Sequence, residues 1–243
     1  MLYTQLFCHA CTEQQIYVEI GALNGVSYSN TLMFEKSLNW GGLLIEGNPV
    51  SARALVQARG KSGKNMVINE AVCLQPGTVA FVGGNGGAVG GVRETMSDTY
   101  FEAWNKRHRF STHYTVPCRP ISDMLHLAGL SDGIDLFSLD VEGAELLVLQ
   151  TMDWSIPVKV FVIEMPNEGP HPAVNQTKAD QIRALLSEHD YVEAPSVRVA
   201  HNVAFVHANL SSTLTQRIEE CGARVQACKA EWHAKHAHAH GHG

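Results

Sequence analysis

Four carboxylates in this chain stand at the ends of short apolar runs: Glu19 in "IYVEI" (16–20), Glu46 after "GGLLI" (41–45), Asp140 after "IDLFSL" (134–139) and Glu164 in "VKVFVIEM" (158–165). Such runs have the composition of buried parallel strands. In open α/β sheets a ligand lies beyond the carboxyl ends of the strands, where the strand order reverses. These acids are therefore placed to accept hydrogen bonds from ligand hydroxyls, receive an ammonium group or take up a proton. Between the first two lies the turn Gly21-Ala22-Leu23-Asn24-Gly25, whose glycines let a backbone approach a ligand closely.

That turn discriminates between cofactors. A dinucleotide needs a seat for its pyrophosphate, and Leu23 stands where the fingerprint for such a seat has its second glycine. S-adenosylmethionine carries no phosphate. Its zwitterionic end asks for an acid to receive the ammonium and for backbone N–H groups to receive the carboxylate, which Glu19 and the 21–25 turn supply. Glu46 falls about 20 residues past the turn, the separation at which a carboxylate accepts hydrogen bonds from both ribose hydroxyls. A nicotinamide cofactor would use Glu46 in the same way, so an NAD-dependent oxidoreductase is the alternative enzyme. The missing glycine and the lack of a Tyr-x-x-x-Lys pair count against it. A binding or assembly module on a degenerate form of the same fold is the non-enzymatic alternative.

The elements that position these residues follow from pattern. A helix is expected from about Ser29 to Leu38. Asn48 reads as an N-cap with Pro49 as the first helical residue and Gly60 as the close. "NMVINEAV" (65–72) reads as a third strand, followed by "VAFVG" (79–83) and the glycine-rich "GGNGGAVGG" (83–91), a candidate lid. Met96, Tyr100, Ala103, Trp104 and Arg107 have helical spacing, which predicts a helix over 97–108. The basic "KRHR" (106–109) at its end suits a substrate's negative charge or a helix C-terminus. Thr177-x-x-Asp180 carries a capping-box signature for a later helix, and "VAFVH" (203–207) is a late strand. Strands alternating with helices predict an α/β sandwich around a mostly parallel sheet.

Composition limits the partners. The formal charge of -6 comes from acids scattered through 243 residues, and no basic stripe points to nucleic acid. No apolar run reaches the roughly 18 to 20 residues of a membrane span, and the first residues do not read as a secretory signal; a soluble, cytoplasmic protein is expected. Six widely spread cysteines suggest reduced thiols rather than a disulfide framework. Cys8-His9-Ala10-Cys11 lacks the second pair that a structural zinc would need, and the N-x-[ST] triplets at Asn175 and Asn209 carry no weight without a signal. Leu214, Ile218, Cys221, Val225, Cys228 and Trp232 form a short heptad seam, suited to a homodimer contact through 214–232 or to docking on the chain's own body. A His-rich tail follows. The expected division is a catalytic domain over 1–212 and a C-terminal helix with tail over 213–243.

The segments "YVEIGALNGVSYSNT", "WGGLLIEGNP", "NEAV" and "DLFSLDVEGAELLVLQTM" together resemble the successive motifs of the FkbM-type methyltransferases, a branch of the class I S-adenosylmethionine-dependent methyltransferases. The resemblance runs over about 16–207, and Glu19 departs from the aspartate of many members. It implies a Rossmann-like sandwich: a seven-stranded sheet with an antiparallel last strand and helices on both faces. It also implies O-methylation of a hydroxyl on a sugar, glycan or related metabolite. The donor site expected on this basis comprises Glu19, Gly21, Ala22, Asn24, Gly25, Ser29, Thr31, Glu46, Gly47, Asn48, Ala71, Val72, Asp140 and Val141.

Methyl transfer from a sulfonium is an in-line displacement in which alignment supplies much of the acceleration. The acceptor hydroxyl must still lose its proton, for which Asp140, Glu142, Glu164 and the loop residue His171 are the candidates, with Asp140 first because it ends a strand in the middle of the sheet. Glu145 reads as an ordinary first-turn helix acid. Asp140, Glu164 and Asn167 also offer hard oxygen ligands for Mg²⁺ or Mn²⁺.

Overall fold

The computed structural model describes residues 7, 15–83, 88–96, 98, 101–102, 105–106, 112–165, 172–199 and 202–211. Cys8 and Cys11, part of the glycine-rich run, most of the expected 97–108 helix, Asn167, His171 and everything from residue 212 onward lie outside the described residues.

Seven strands form the main sheet: β1 (Ile16–Ile20), β2 (Gly41–Ile45), β3 (Asn65–Ile68), β8 (Ile134–Leu139), β9 (Val158–Glu164), β10 (Tyr191–Val199) and β11 (Asn202–His207). Their order is β10-β11-β9-β8-β1-β2-β3. All pairs are parallel except those of β11, which runs antiparallel to both β9 and β10. The chain winds outward from β1 through β2 to β3 and then returns to the other side of β1 with β8. The reversal point between β1 and β8 is where an open α/β sheet gathers its ligand.

Both faces of the sheet are covered, so successive strand residues are buried and the runs read as continuously apolar. Val18, Leu43, Phe137 and Phe161 pack on one face with α3 (Ile121–Leu127), α4 (Glu145–Gln150) and α5 (Pro172–Glu188). Tyr17, Leu44, Leu136 and Val160 face the other way, onto Phe34, Trp40 and Leu55 from α1 (Leu32–Leu38), the turn after it and α2 (Pro49–Arg59). A short α6 (Ala208–Ser211) ends the described chain. Among the described residues no helix is long and apolar enough to cross a membrane.

A second, four-stranded sheet sits between β3 and α3, in the order β4 (Ala71–Val72), β7 (Thr112–Arg119), β5 (Gly77–Gly83), β6 (Gly90–Val92). It divides the expected strand 65–72, because Asn69 and Glu70 carry the chain from the main sheet to the small one. A disulfide joins Cys73, just after β4, to Cys118 on β7, which corrects the expectation of reduced thiols; spacing alone could not show that the β4–β7 pairing brings them together. Helix α5 begins at Pro172 rather than at Thr177, a proline start in place of the expected capping box. The N-terminus of α1 falls at Leu32, later than Ser29. Asn48 and Pro49 start α2 as expected, with Asn48 Oδ1 accepting from Val50 N at 2.9 Å.

Candidate active site

The sheet's reversal point opens into a cavity of about 850 Å³. Strand ends supply its floor: Glu19, Ile20 and Gly21 from β1, Ile45 and Glu46 from β2, Ser138 and Asp140 from β8, Glu164 from β9. The small sheet supplies a wall with Ala71, Val72, Phe81 and Val92. At the floor the strands come so close that a Cβ on Gly21 would lie 1.7 Å from the Asp140 carbonyl oxygen. Gly21 also has φ +82°, so two independent constraints require glycine.

Glu46 closes the loop that follows β1. Its Oε2 accepts the N–H of Leu23 at 2.8 Å and its Oε1 that of Asn48 at 2.6 Å. Leu23 takes the left-handed conformation, φ 49°, on the turn that presents this N–H. Burial pushes the Glu46 carboxyl up to about 7, against the pull of the two backbone N–H groups. Beside it, Gly47 leaves room for Phe81: a Cβ there would lie 2.6 Å from the ring.

Glu19 is 3 % exposed and already heavily engaged. Its Oε2 accepts from the hydroxyls of Ser29 at 2.9 Å and Thr31 at 2.6 Å, and its Oε1 from the N–H of Asn30 at 2.7 Å. The hydroxyls of Ser29 and Thr31 thus point inward to Glu19, and Thr31 at the start of α1 makes no side-chain cap bond.

On the opposite side of the floor, Asp140 and Glu164 are hydrogen-bonded to each other across adjacent strand ends. Burial and then the charges of Asp140, Glu142 and Glu145 push Glu164 up to about 10. Burial pushes Asp140 up as well, against the hydrogen bond with Glu164, so the pair favours holding a proton, with Glu164 the member pushed further by its neighbours' charges. Glu142 joins them at left-handed φ 56°, and one oxygen from each of the three lies within 4.8 Å of the others. Their loop is pinned from below. Glu145 Oε1 accepts the N–H groups of Gly143 at 3.0 Å and Val141 at 3.2 Å, and Lys178 Nζ donates to the Gly143 carbonyl at 3.0 Å. Glu145 stands in the first turn of α4, as expected; at 2 % exposed it is also a buried brace for the loop, and burial pushes its carboxyl up.

Of the residues expected from the sequence, Glu19, Gly21, Glu46, Gly47, Asn48, Ala71, Val72, Asp140, Val141, Glu142 and Glu164 line the cavity. Ala22, Asn24, Gly25, Ser29 and Thr31 do not line it; they lie in or behind the loop. His171 and Asn167 lie outside the described residues. Reading the sequence missed Tyr28, Asn30, Glu70, Phe81, Ser138 and Asn202, which also line it. Asn202 sits opposite Glu164 in the β11–β9 register, a relationship that only the pairing reveals. Tyr28 and Asn30 fall in "SYSNT" (27–31), next to Ser29 and Thr31.

Residues 19–193 match the family model described as the methyltransferase FkbM domain. The chain belongs to the FkbM methyltransferase family. None of the curated proteins matches it. Among solved structures it is similar to an FkbM methyltransferase from Methylobacillus flagellatus KT, at 15% identity and TM-score 0.49, covering 84% of this chain and 47% of that one. The chain thus spans about half the length of that relative. It is also similar to a SAM-dependent methyltransferase from Aquifex aeolicus, at 10% identity and TM-score 0.39, covering 84% and 90% of the two chains. A third is the Methanococcus jannaschii fibrillarin pre-rRNA processing protein, at 11% identity and TM-score 0.40, covering 84% and 74%.

Membership of the FkbM family implies S-adenosylmethionine as methyl donor, and the residues present fit it. Glu46 spends one lone pair of each oxygen on backbone, leaving others for two ribose hydroxyls. Beside it, Ile20, Gly21 and Leu23 bring the end of β1 and its turn to the cavity wall.

Proposed function

We propose that the protein is an S-adenosylmethionine-dependent O-methyltransferase acting on a hydroxyl of a sugar, glycan or related metabolite. When bound, the donor supplies a methyl group already activated by its sulfonium. The protein's part is then to hold donor and acceptor in line, exclude water and receive the acceptor's proton. Glu46 would hold the ribose, with Gly21 and Leu23 packed against the donor; the N–H groups of Gly21, Ala22, Leu23 and Gly25 are already given to Ile45, Glu46 and Ala22 oxygens, which corrects the expectation that this turn receives the donor's carboxylate. The Asp140–Glu164 pair supports this reading: an aspartate at the reversal point, hydrogen-bonded to a glutamate that burial and nearby charges favour in its protonated form, would in its ionised form accept a proton from a hydroxyl. Asp140 would be the base and Glu164 the group that fixes its orientation. A turnover assay for S-adenosylhomocysteine release across a panel of glycosyl acceptors tests this, with Asp140→Ala as control. Undiminished turnover in that variant removes Asp140 from the mechanism.

The grouping of Asp140, Glu142 and Glu164 oxygens supports a second reading, in which the three hold Mg²⁺ or Mn²⁺. Activity abolished by a chelator and restored by either ion would select it; activity indifferent to chelator would reject it. The Cys73–Cys118 disulfide supports an oxidising compartment as the place of action in preference to the cytoplasm. Trapping free thiols on extraction tests that: alkylated Cys73 and Cys118 in the native protein would refute it.

A further inference from the structure

Behind the loop that follows β1 lies a side chain that belongs to no motif. Arg59, the last residue of α2, is 1 % exposed and makes hydrogen bonds with all its nitrogens. Its Nε donates to Glu35 Oε2 at 2.6 Å and its Nη2 to the Tyr17 hydroxyl at 2.7 Å and Thr31 Oγ1 at 3.0 Å. Its Nη1 reaches Ser29 Oγ at 3.0 Å, Glu19 Oε2 at 3.2 Å and the Gly25 carbonyl at 3.4 Å. One guanidinium therefore joins β1, α1, α2 and both ends of the 25–31 loop. Gly25, at φ +76°, also leaves room for this packing, since a Cβ there would lie 2.6 Å from Leu55 Cδ1 and 2.8 Å from Arg59 Cδ.

The loop so held supplies Ser27, Tyr28 and Asn30 to the cavity. Tyr28 sits at φ 59° although it is bulky and 85% exposed, and Asn30 Nδ2 donates to Ser138 Oγ at 3.0 Å. A non-glycine residue in that conformation costs free energy and persists where its surroundings over-determine it. Arg59 and Glu19 provide that determination. Glu19, with three donors and a guanidinium on its two oxygens, serves the shape of the loop.

We infer that Arg59 is a positioning residue for the methyl donor: together with Glu19 it holds the 25–31 loop in the conformation that binds S-adenosylmethionine, without touching the donor itself. This rests on the proposed function for the identity of the ligand, and the loop part of it does not. Only arginine has the planar fork that serves two carboxylates and three loop oxygens at once, so lysine should substitute poorly.

The experiment compares the wild-type chain with Arg59→Lys, Arg59→Met/Glu35→Gln and Thr31→Val. Each is checked for native circular dichroism and thermal midpoint, titrated calorimetrically with S-adenosylmethionine and digested with chymotrypsin to follow cleavage after Tyr28. The double variant removes one of the two carboxylates that Arg59 neutralises, while Glu19 keeps the donors Ser29, Asn30 and Thr31. Thr31→Val keeps shape, deletes one hydroxyl and decides the matter if the Arg59 variants do not fold. The expected result is folded protein whose affinity is lower by about tenfold or more for the double variant and by less for Thr31→Val, because preorganisation is lost, with faster cleavage after Tyr28. Folded variants with wild-type affinity and wild-type cleavage would overturn the inference. Wild-type protein that does not bind S-adenosylmethionine would instead overturn the proposed function, and cleavage rates would still decide whether Arg59 holds the loop.

Discussion

The carboxylate of Glu46 accepts the backbone N–H of Leu23 at 2.8 Å, so the acid that ends β2 also closes the loop that follows β1. The two sides of the donor pocket are thereby one unit. Replacing Glu46 by Ala should weaken S-adenosylmethionine binding by about 10- to 100-fold, the loss of one or more hydrogen bonds to a charged group. Glu46→Gln, which retains one acceptor oxygen, should fall between. Calorimetry on both variants checks the order.

The same burial makes binding pH-dependent. Glu46 is raised from 4.5 to about 7 in the folded protein, and a ribose hydroxyl bonds more strongly to the ionised form. Affinity should rise as pH is raised from 6 to 8, by up to about tenfold, and be flat over that range in Glu46→Gln. For folding the sign is opposite. The contribution of Glu46 to stability is fully present below pH 4.5 and is lost as pH rises through about 7. Urea melts of wild type and Glu46→Gln at the two pH limits would reveal it as a difference in slope with pH.

Asp140→Asn and Glu164→Gln should separate a base from its support. The first removes the proton acceptor and should lower kcat by about 10²- to 10⁴-fold. The second keeps a hydrogen-bond donor toward Asp140 and should cost much less. Equal losses in both would mean that neither residue acts alone as the base.

Two glycines with left-handed backbone make a matched pair. Gly21→Ala places a Cβ 1.7 Å from the Asp140 carbonyl oxygen, whereas Gly63→Ala, at φ +70°, meets nothing within 4 Å. The first should destabilise by about 3 kcal/mol or more, the second by about 1 kcal/mol. Denaturant melts of the two variants compare them directly.

Removing the disulfide should cost about 2 to 4 kcal/mol, because Cys73 and Cys118 close a loop across 45 positions of sequence. A lower midpoint in reductant, absent in Cys73→Ser/Cys118→Ser, checks this.

The floor of the site was legible in the sequence because it lies at the ends of fully buried strands, where continuous apolar runs stop at an acid. Glu46 and Asp140 are marked in that way. The wall was not. Strand β7 is half exposed and contains Pro117, so its apolar signal is weak, and β10 contains Pro195 and a register shift between Glu193 and Arg198, features that demote a strand when read alone. Both are tolerated because β10 is an edge strand of the main sheet and Pro117 lies outside the two residues of β7, Cys118 and Arg119, that pair with β4, so the strand has an open edge there. Arg59 escaped for a different reason. It reads as the ordinary basic end of a helix, and its six partners come from positions 17 to 35, which only the packing of α1 and α2 beneath β1 brings around it.

The most direct test of the account is calorimetric titration of the whole protein with S-adenosylmethionine, with NAD as comparison, Glu46→Ala as control and a chelator present to silence the His-rich tail. The expected result is saturable binding of S-adenosylmethionine that weakens in the variant, and none of NAD. Failure of the wild-type protein to bind S-adenosylmethionine, or binding indifferent to Glu46, would contradict it.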